Sequence, residues 1–570
     1  MSTVAAPASR RFVAWMLAIA AIALALRVVF PTADPPWEST VGIVWHDEGA
    51  WVHNARNKAL FGGWTQDNWN PMYIAPVFSA LEYASFASFG VGVWQARLVS
   101  EVTGFASVLL LAFGVRRIAG PDAAIAAAAL LATNYVYVMW NRAALMEASM
   151  VAFIVFSWYF YVRAQRSPLW GWLAAACALL AYFTKAAAIF YVAALGLEAL
   201  IALVRPTAAD DAASKRAARA TLIGLIVCGM LALVLFVAPN WTDYRFYNWQ
   251  MSVTRKPSYD VRSLVDRVTW FPIVHDIFTR MWLTVIVALL ALFGMLSRWR
   301  NVAPAERLLA LWVGLGALEL ILHDVGNERR FIIFIPALVG LAAIVLGRDR
   351  RLLPIEMARV PRWQFLVAAP AVLYGLYVSI GSLARLAYIY VPGPGVRLSA
   401  ALAVVAGFLV AVTWPRTARL LAGAQWSATA GVFVAVLVAA GQLAQFGQWA
   451  LGRTYKNYEA SIAIGGILPP GTLVHGKLAN GLSLENRIRP IFVGREFGNY
   501  EDRRQRDDVR YILTYIAPRF GYEGSVILDV LEAYPDRTII KTFEVAETAA
   551  GHDRAALIDK FGDKSPRAHD

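Results

Sequence analysis

Two adjacent carboxylates, Asp47 and Glu48, begin a helical pattern within the polar and aromatic stretch Trp45-His46-Asp47-Glu48-Gly49-Ala50-Trp51-Val52-His53-Asn54-Ala55-Arg56-Asn57, which closes at Gly62-Gly63. A carboxylate in the first turn of a helix is held ionised by the helix dipole and can accept a hydrogen bond or a proton. Asp47, Trp51, Asn54 and Lys58 follow one another at spacings of four, three and four, so a continuous helix carries an acid, an aromatic and two polar groups on one face. An acidic pair at a helix start also suits a plain N-cap. The two readings are separated by what else reaches the same place.

Isolated charges elsewhere in the apolar part of the chain are expected at that side: Arg97, Arg142, Glu147, Lys185, Arg329 and Arg330. Ionisable groups at membrane depth are costly unless paired or facing a wet cavity, so each marks a candidate site. Arg27, Glu101, Glu198 and Glu319 are weaker cases that can snorkel to an interface. Cations clustered beside a carboxylate suit transfer from an anionic leaving group, the acid activating a nucleophile while Arg or Lys stabilises charge building on phosphate. The competing reading is structural ion pairing, for instance Arg142 with Glu147. A second long polar segment, 239–280, adds interleaved aromatics from Trp241 to Trp249 and then Arg255 and Lys256, which suit a sugar phosphate and suit a membrane interface equally. The chain has no phosphate-binding glycine loop, no His-Glu-x-x-His and no cysteine pair with metal spacing. No cofactor is therefore required, and a divalent ion is compatible with the site but not implied.

The elements that must position these groups follow from composition. The 570 residues are 59% hydrophobic and 16% charged, with mean hydropathy +0.51, against about 25% charged for a soluble domain. Residues 452–570 hold seventeen basic and seventeen acidic side chains, so the whole net charge of +14 belongs to the preceding part. That part contains apolar runs near 12–30, 92–115, 122–140, 145–162, 169–184, 187–204, 220–238, 281–297, 307–323, 331–347, 364–390, 398–414 and 426–446, about thirteen spans of membrane-crossing length. The first run is read as a span in preference to a signal peptide, being long, carrying Arg27 near its end and lacking a small-x-small cleavage site.

Clusters such as Arg10-Arg11, Arg116-Arg117, Arg163 with Arg166, Lys215-Arg216 and Arg350-Arg351 occupy alternate loops. Basic loops are retained in the cytoplasm, which puts the N-terminus inside and places segments 31–90, 239–280 and the tail on the periplasmic or extracellular side of an inner (plasma) membrane. Cys177 and Cys228 lie in apolar runs and read as buried hydrophobes. The inner loop starting at Pro206 reads as a polar linker. The tail alternates strand-like pieces (472–475, 491–493, 509–515) with helical and turn segments, a small α/β domain. The expected architecture is thus an all-α polytopic membrane domain over 1–449, with loops 31–90 and 239–280, followed by a soluble α/β domain over 450–570. The basic excess sits between spans, which argues for membrane topology and against a nucleic-acid partner.

In its motifs the chain resembles the polytopic GT-C glycosyltransferases of the protein O-mannosyltransferase and aminoarabinose-transferase (ArnT-like) type, over most of residues 12–350. The carriers are Asp47-Glu48, Trp51 and Asn54-Ala55-Arg56 in the first long loop, Ala96-Arg97-Leu98 at the second span, Asn141-Arg142 through Glu147, Phe183-Thr184-Lys185, and Arg329-Arg330-Phe331 through Pro336. Asn70-Pro71-Met72-Tyr73 departs from the family's His-Pro-Pro-Leu or Glu-Lys-Pro-Pro-Leu element: Asn70 is a neutral substitute, with His46, His53 and Asp67 as candidate compensations.

The resemblance implies a polyprenyl-phosphate-linked sugar donor, an acceptor hydroxyl or phosphate on a lipid, glycan or protein, and inverting transfer outside the cytoplasm, in a chain expected to act as a monomer among membrane lipids. Asp47, with Glu48 beside it, is the catalytic candidate. Arg56, Arg97, Arg142, Lys185, Arg255, Lys256, Arg329 and Arg330 are the donor-phosphate candidates, and Trp51, Asn54, Asn70 and Glu147 line the sugar and acceptor cavity. A lipid-phosphate flippase or a catalytically silent relative are the alternatives. The absence of a 20–50-residue repeat and the presence of long loops weigh against a transporter.

Overall fold

The structure, a computed structural model, describes residues 10–36, 42–204, 206, 210–250, 259–269, 280–297, 299–323, 328–347, 405, 428–492, 506–516, 532, 534–546 and 553–562. The expected spans 364–390 and 398–414 lie outside the described residues except for residue 405.

The bundle begins with α1 (Arg10–Val28). The first long loop folds into α2 (Asp47–Trp51), α3 (His53–Phe61) and α4 (Pro76–Phe89). There follow α5 (Val93–Ala119), α6 (Pro121–Thr133), α7 (Tyr135–Asn141), α8 (Met146–Ala164), α9 (Pro168–Thr184), α10 (Ile189–Val204) and α11 (Ala212–Ala232). The later helices are α12 (Trp241–Arg245), α13 (Val261–Thr269), α14 (Trp282–Ser297), α15 (Pro304–His323), α16 (Ile335–Gly347) and α17 (Ala428–Leu451). Among the described residues, six helices are long and apolar enough to cross a bilayer, or seven if the bent pair α6–α7 is one span; Pro168–Thr184 and Trp282–Leu292 are shorter apolar helices.

Local sequence explains the breaks. Gly120, at φ +91°, ends α5, and Pro121 starts α6 at a position that needs no N–H donor. The run 122–140, expected as one span, is instead bent by 62° at Asn134. There the Asn134 side chain accepts from the Tyr137 N–H at 2.9 Å, and the freed Tyr135 N–H donates to Gln442 Oε1 at 2.8 Å. A polar side chain that offers the backbone a substitute partner starts a new helix in the middle of an apolar run.

Helices in lipid associate through close packing and internal hydrogen bonds, because no hydrophobic gain separates helix from lipid. Gly114 shows the close packing: a Cβ there would lie 2.3 Å from Trp158 Cζ3. The fully buried indoles are also satisfied, Trp158 donating to the Ala305 carbonyl at 3.0 Å and Trp312 to that of Ile333 at 2.9 Å.

Glu198 and Arg27, expected to snorkel, and Asp210, expected in a linker, are instead buried and hydrogen-bonded. Arg307 on α15 binds both Glu198 on α10, at 2.7 and 3.1 Å, and Asp210 in the loop after it, at 2.7 and 3.1 Å, all three fully enclosed at the side chain. The stretch read as a plain polar linker is therefore pinned at Asp210, since a buried guanidinium must find carboxylates. Arg27 does not snorkel: it is fully buried and donates to Asn141 Oδ1 at 2.9 Å and to the Ala23 carbonyl at 2.9 Å.

Among the described residues, the tail contains α18 (Lys456–Ile467), α19 (Lys477–Gly481) and a five-stranded sheet of order β2-β1-β3-β5-β4. Its strands are β1 (Leu473–His475), β2 (Arg489–Ile491), β3 (Tyr511–Tyr515), β4 (Thr538–Val545) and β5 (Asp553–Asp559). β1 pairs parallel with β2 and β3, and β5 pairs antiparallel with β3 and β4. The second strand lies two residues earlier than the sequence pattern suggests, and β4 and β5 add to the strand-like pieces read from the sequence. The architecture is a mostly helical polytopic bundle with a small α/β tail.

Candidate active site at the mouth of the bundle

The first long loop does not continue as one helix through Asp47 and Lys58. It breaks at Val52, and the indole N–H of Trp69 takes the Ala50 carbonyl at 2.6 Å. A carbonyl engaged from outside marks the place where one short helix gives way to the next. Asp47 thus stands as the first residue of α2, almost enclosed, with Oδ2 2.9 Å from Arg329 Nη1 and Oδ1 3.8 Å from His46 Nε2. Arg329 sits in the 3-10 turn Glu328–Phe334 that leads into α16.

A second acid–base pair lies at the same mouth. Glu147 opens the first turn of α8 and accepts from Lys185 Nζ at 2.6 Å. Lys185 is an extended residue between α9 and the short turn Ala186–Ala188. Arg329 is within electrostatic reach of both Glu147 and Lys185, and Arg330 of Lys185. Among the described residues, two carboxylates and three cations therefore converge from α2, α8, the α9–α10 junction and the entry to α16. Arg330 also donates to the His323 carbonyl at 3.0 Å.

Glu48, next to Asp47 in sequence, is turned to a different task. Its two oxygens bind Arg97 Nε at 2.8 Å and Nη2 at 2.9 Å, and Oε1 also accepts from the Ala144 N–H at 2.9 Å. Arg97 uses its remaining nitrogen on the carbonyls of Pro31 and Ala33. The pair is a brace between α2, α5 and the α7–α8 turn.

Several candidate cations point elsewhere. Arg142 does not pair with Glu147; it donates to the carbonyls of Leu26, Arg27 and Phe30 and packs 4.7 Å from the Trp449 ring. Arg56, fully buried, donates to the carbonyls of Ser483, Asn486 and Ile488 in the tail. Arg255 and Lys256 lie outside the described residues.

Asn54 and Asn70 form a polar hub under the loop. Asn54 donates to Asn70 Oδ1 at 3.0 Å and to the Trp64 carbonyl at 2.6 Å, and accepts from the Met72 N–H. Asn70 donates to the Asp67 carbonyl and to the Tyr247 hydroxyl, which ties the two long loops together. Trp51 meets Trp69 edge to face at 5.3 Å. Of the residues considered as compensation for Asn70, His53 and Asp67 pair with each other at 3.0 Å, and His46 borders Asp47.

Sequence reasoning missed what surrounds the loop from the tail and from α4. Asn480 donates to His53 Nδ1 at 2.9 Å, Phe492 N donates to Asp67 Oδ2 at 2.8 Å, and the Phe492 ring stacks on Trp69 at 5.0 Å. Glu82 on α4 is fully buried, and neither carboxylate oxygen has a hydrogen-bond partner among the described residues. Burial, and then the nearby Glu48 charge, push its pKa well above the ordinary 4.5, since both disfavour the charged form. An acid four residues before a phenylalanine carries no sequence signal for such a role. Among the described residues no group of three or more His, Cys, Asp or Glu side chains is arranged to hold a metal ion.

The fold and the order of these groups are similar to those of known membrane proteins, by sequence over part of the chain and by fold over nearly all of it. Residues 73–238 match the family model described as dolichyl-phosphate-mannose-protein mannosyltransferase. The chain also superposes on two crystal structures of ArnT from Cupriavidus metallidurans. With the one bound to undecaprenyl phosphate it shares 17% identity at a TM-score of 0.51, covering 96% of this chain and 97% of that one. With the apo form it shares 15% identity at a TM-score of 0.52, covering 96% and 98%. No curated protein sequence matches the chain.

Proposed function

We propose that the chain transfers a sugar from a polyprenyl-phosphate donor to an acceptor hydroxyl or phosphate on the non-cytoplasmic side of the membrane, with inversion, and that Asp47 is the general base. The observation that carries this reading is the meeting of Asp47 with Arg329 at 2.9 Å beside the Glu147–Lys185 pair, at one mouth of the bundle. A carboxylate and a set of cations at one place match the two needs of glycosyl transfer from a phosphate, a base for the incoming hydroxyl and positive charge for the departing oxygen. The ArnT structure with undecaprenyl phosphate gives the fold a lipid-phosphate precedent.

The sequence of events follows from charge. Lys185, Arg329 and Arg330 receive the donor phosphate, and Arg329 exchanges Asp47 for a phosphate oxygen. Losing that cation makes the Asp47 carboxylate more basic at the moment its base is needed. Asp47 takes the acceptor proton, the acceptor oxygen bonds to the anomeric carbon, and the C–O bond to phosphate breaks with its electron pair leaving on the polyprenyl phosphate. Glu147 holds Lys185 in place until the phosphate arrives. Arg255 and Lys256 belong to the same phosphate set as sequence candidates. Lys185, Arg329 and Arg330 supply positive charge for the leaving group, and a divalent ion is compatible with the site but not implied.

The test is a transfer assay on purified protein with a panel of polyprenyl-phosphate sugars, following release of free polyprenyl phosphate. Asp47→Asn is expected to lower turnover by about 10²- to 10⁴-fold while polyprenyl phosphate still binds. Undiminished turnover in Asp47→Asn removes the base assignment. No release with any donor from a wild-type protein that binds the lipid favours a lipid-phosphate carrier or a silent relative.

A further inference from the structure

The tail grips the loop that carries Asp47 through backbone contact. A Cβ on Gly49, two residues after Asp47, would lie 1.9 Å from the Asn480 carbonyl oxygen. A Cβ on Gly481 would lie 2.8 Å from His46 Cβ, 2.9 Å from His46 Cα and 3.0 Å from Trp45 Cζ3. Two glycines thus let α2 and α19 touch main chain to main chain, on either side of the carboxylate.

Further attachments run along residues 478–492. Trp45 is buried among Leu478, Ala479 and Leu482 of the tail core. Asn480 bonds to His53, and Arg56 reaches three tail carbonyls. Leu484 sits in the apolar cluster of the first loop, with Val52, Phe78 and Met146. Glu485 Oε1 accepts the Val93 N–H at 2.7 Å at the start of α5, and Phe492 closes on Asp67 and Trp69. α2 has five residues and no side-chain cap, too few to hold a fixed place unaided. Arg329 bonds Asp47 from one side, and the tail abuts the flanking residues.

We propose that the tail segment 480–492, acting through the Asn480–Gly481 contact with His46–Gly49, is a positioning element that sets where the Asp47 carboxylate stands. The inference rests on the proposed role of Asp47. Displacing a base by about 1 Å can cost on the order of 10²-fold in rate without weakening substrate binding, so the positioning role has a kinetic signature that a general loss of folding lacks.

The experiment uses the full chain with Gly481→Ala, and Gly466→Ala as control, since a Cβ at Gly466 meets nothing within 4 Å. Gly481→Ala is expected to lower kcat at least tenfold, while donor KM, polyprenyl-phosphate affinity and thermal midpoint stay near those of Gly466→Ala. Asn480→Ala, which keeps the backbone contact and loses only the bond to His53, gives a smaller fall of twofold to tenfold, and it serves if Gly481→Ala does not accumulate. A second readout is independent of turnover. In a chain with Cys177 and Cys228 replaced by Ala, the methanethiosulfonate reaction rate of Asp47→Cys should change at least threefold on adding Gly481→Ala and not on adding Gly466→Ala. Unchanged kcat together with an unchanged labelling rate of the Asp47→Cys thiol overturns the proposal, as does a fall in kcat matched by donor affinity and thermal midpoint. A wild type that turns over no donor defeats the glycosyltransferase reading alone, and the labelling arm then decides the positioning role.

Discussion

Asp47 and Glu48 are adjacent in sequence, but their partners give them different physics. Asp47 bonds the partly exposed Arg329, which the proposed mechanism hands to the donor phosphate, whereas Glu48 is clasped by Arg97 and a backbone N–H inside the protein. Removing one partner of a buried ion pair leaves the other charge unpaired, which costs about 3–5 kcal/mol. Glu48→Gln is therefore expected to lower the thermal midpoint of the detergent-solubilised protein markedly, and Asp47→Asn to leave it nearly unchanged; equal midpoints for the two variants would count against the division. Glu82 provides a pH test at the same scale. Its folded pKa is raised well above 4.5 by burial first and by Glu48 second. The stability it contributes is fully present below the unfolded value near 4.5 and is lost as pH rises through the folded pKa. Glu82→Gln has no such loss. Its thermal midpoint should match wild type below pH 4.5 and exceed it increasingly as pH rises, levelling off above the folded pKa, and a pH-independent difference would show that Glu82 ionises freely.

At the scale of elements, short pieces of backbone bring together charges that the sequence scatters. The break at Val52, the extended Lys185 between α9 and α10, and the 3-10 turn carrying Arg329 each aim one side chain at the mouth. At the far end of α10, the loop with Asp210 is anchored by Arg307, which also holds Glu198. Arg307→Met would remove the cation that binds both enclosed carboxylates, while Asp210→Asn keeps the Arg307–Glu198 pair. The first is expected to destabilise by about 3–5 kcal/mol and the second by clearly less, read as thermal midpoints. The reverse order would mean that this cluster is not what holds α10, α15 and the loop together.

At the scale of the molecule, orientation is the property that basic loops predict and that labelling decides. With the N-terminus inside, Arg216→Cys on the exposed face of α11 should resist a membrane-impermeant thiol reagent in intact cells, and Ile462→Cys, exposed in the tail, should react. The opposite pattern would invert the topology and move the mouth to the cytoplasmic side. Much of this architecture is legible in the sequence, for identifiable reasons. Apolar runs of bilayer length report spans because lipid forces backbone hydrogen bonds to close within each helix, and the change of composition after residue 452 coincides with the small α/β tail. The order of Asp47, Arg97, Arg142-to-Glu147, Lys185 and Arg329 along the chain carries the GT-C resemblance. What a one-dimensional pattern cannot contain is which partner each charge takes. Arg142 looks like Lys185 in sequence, yet Arg142 is spent on carbonyls of α1 and its exit while Lys185 meets Glu147. The bend at Asn134 depends on Gln442 as well as on Asn134 itself. The grip of Asn480–Gly481 on His46–Gly49 joins residues more than four hundred positions apart and is made by glycines and carbonyls, which leave no chemical mark in the sequence. Apolar runs and charge were set locally by the chain; the breaks at Asn134 and Val52, the pairing of charges and the placing of Asp47 were decided by tertiary packing, because only there do distant groups compete for the same space and the same donors.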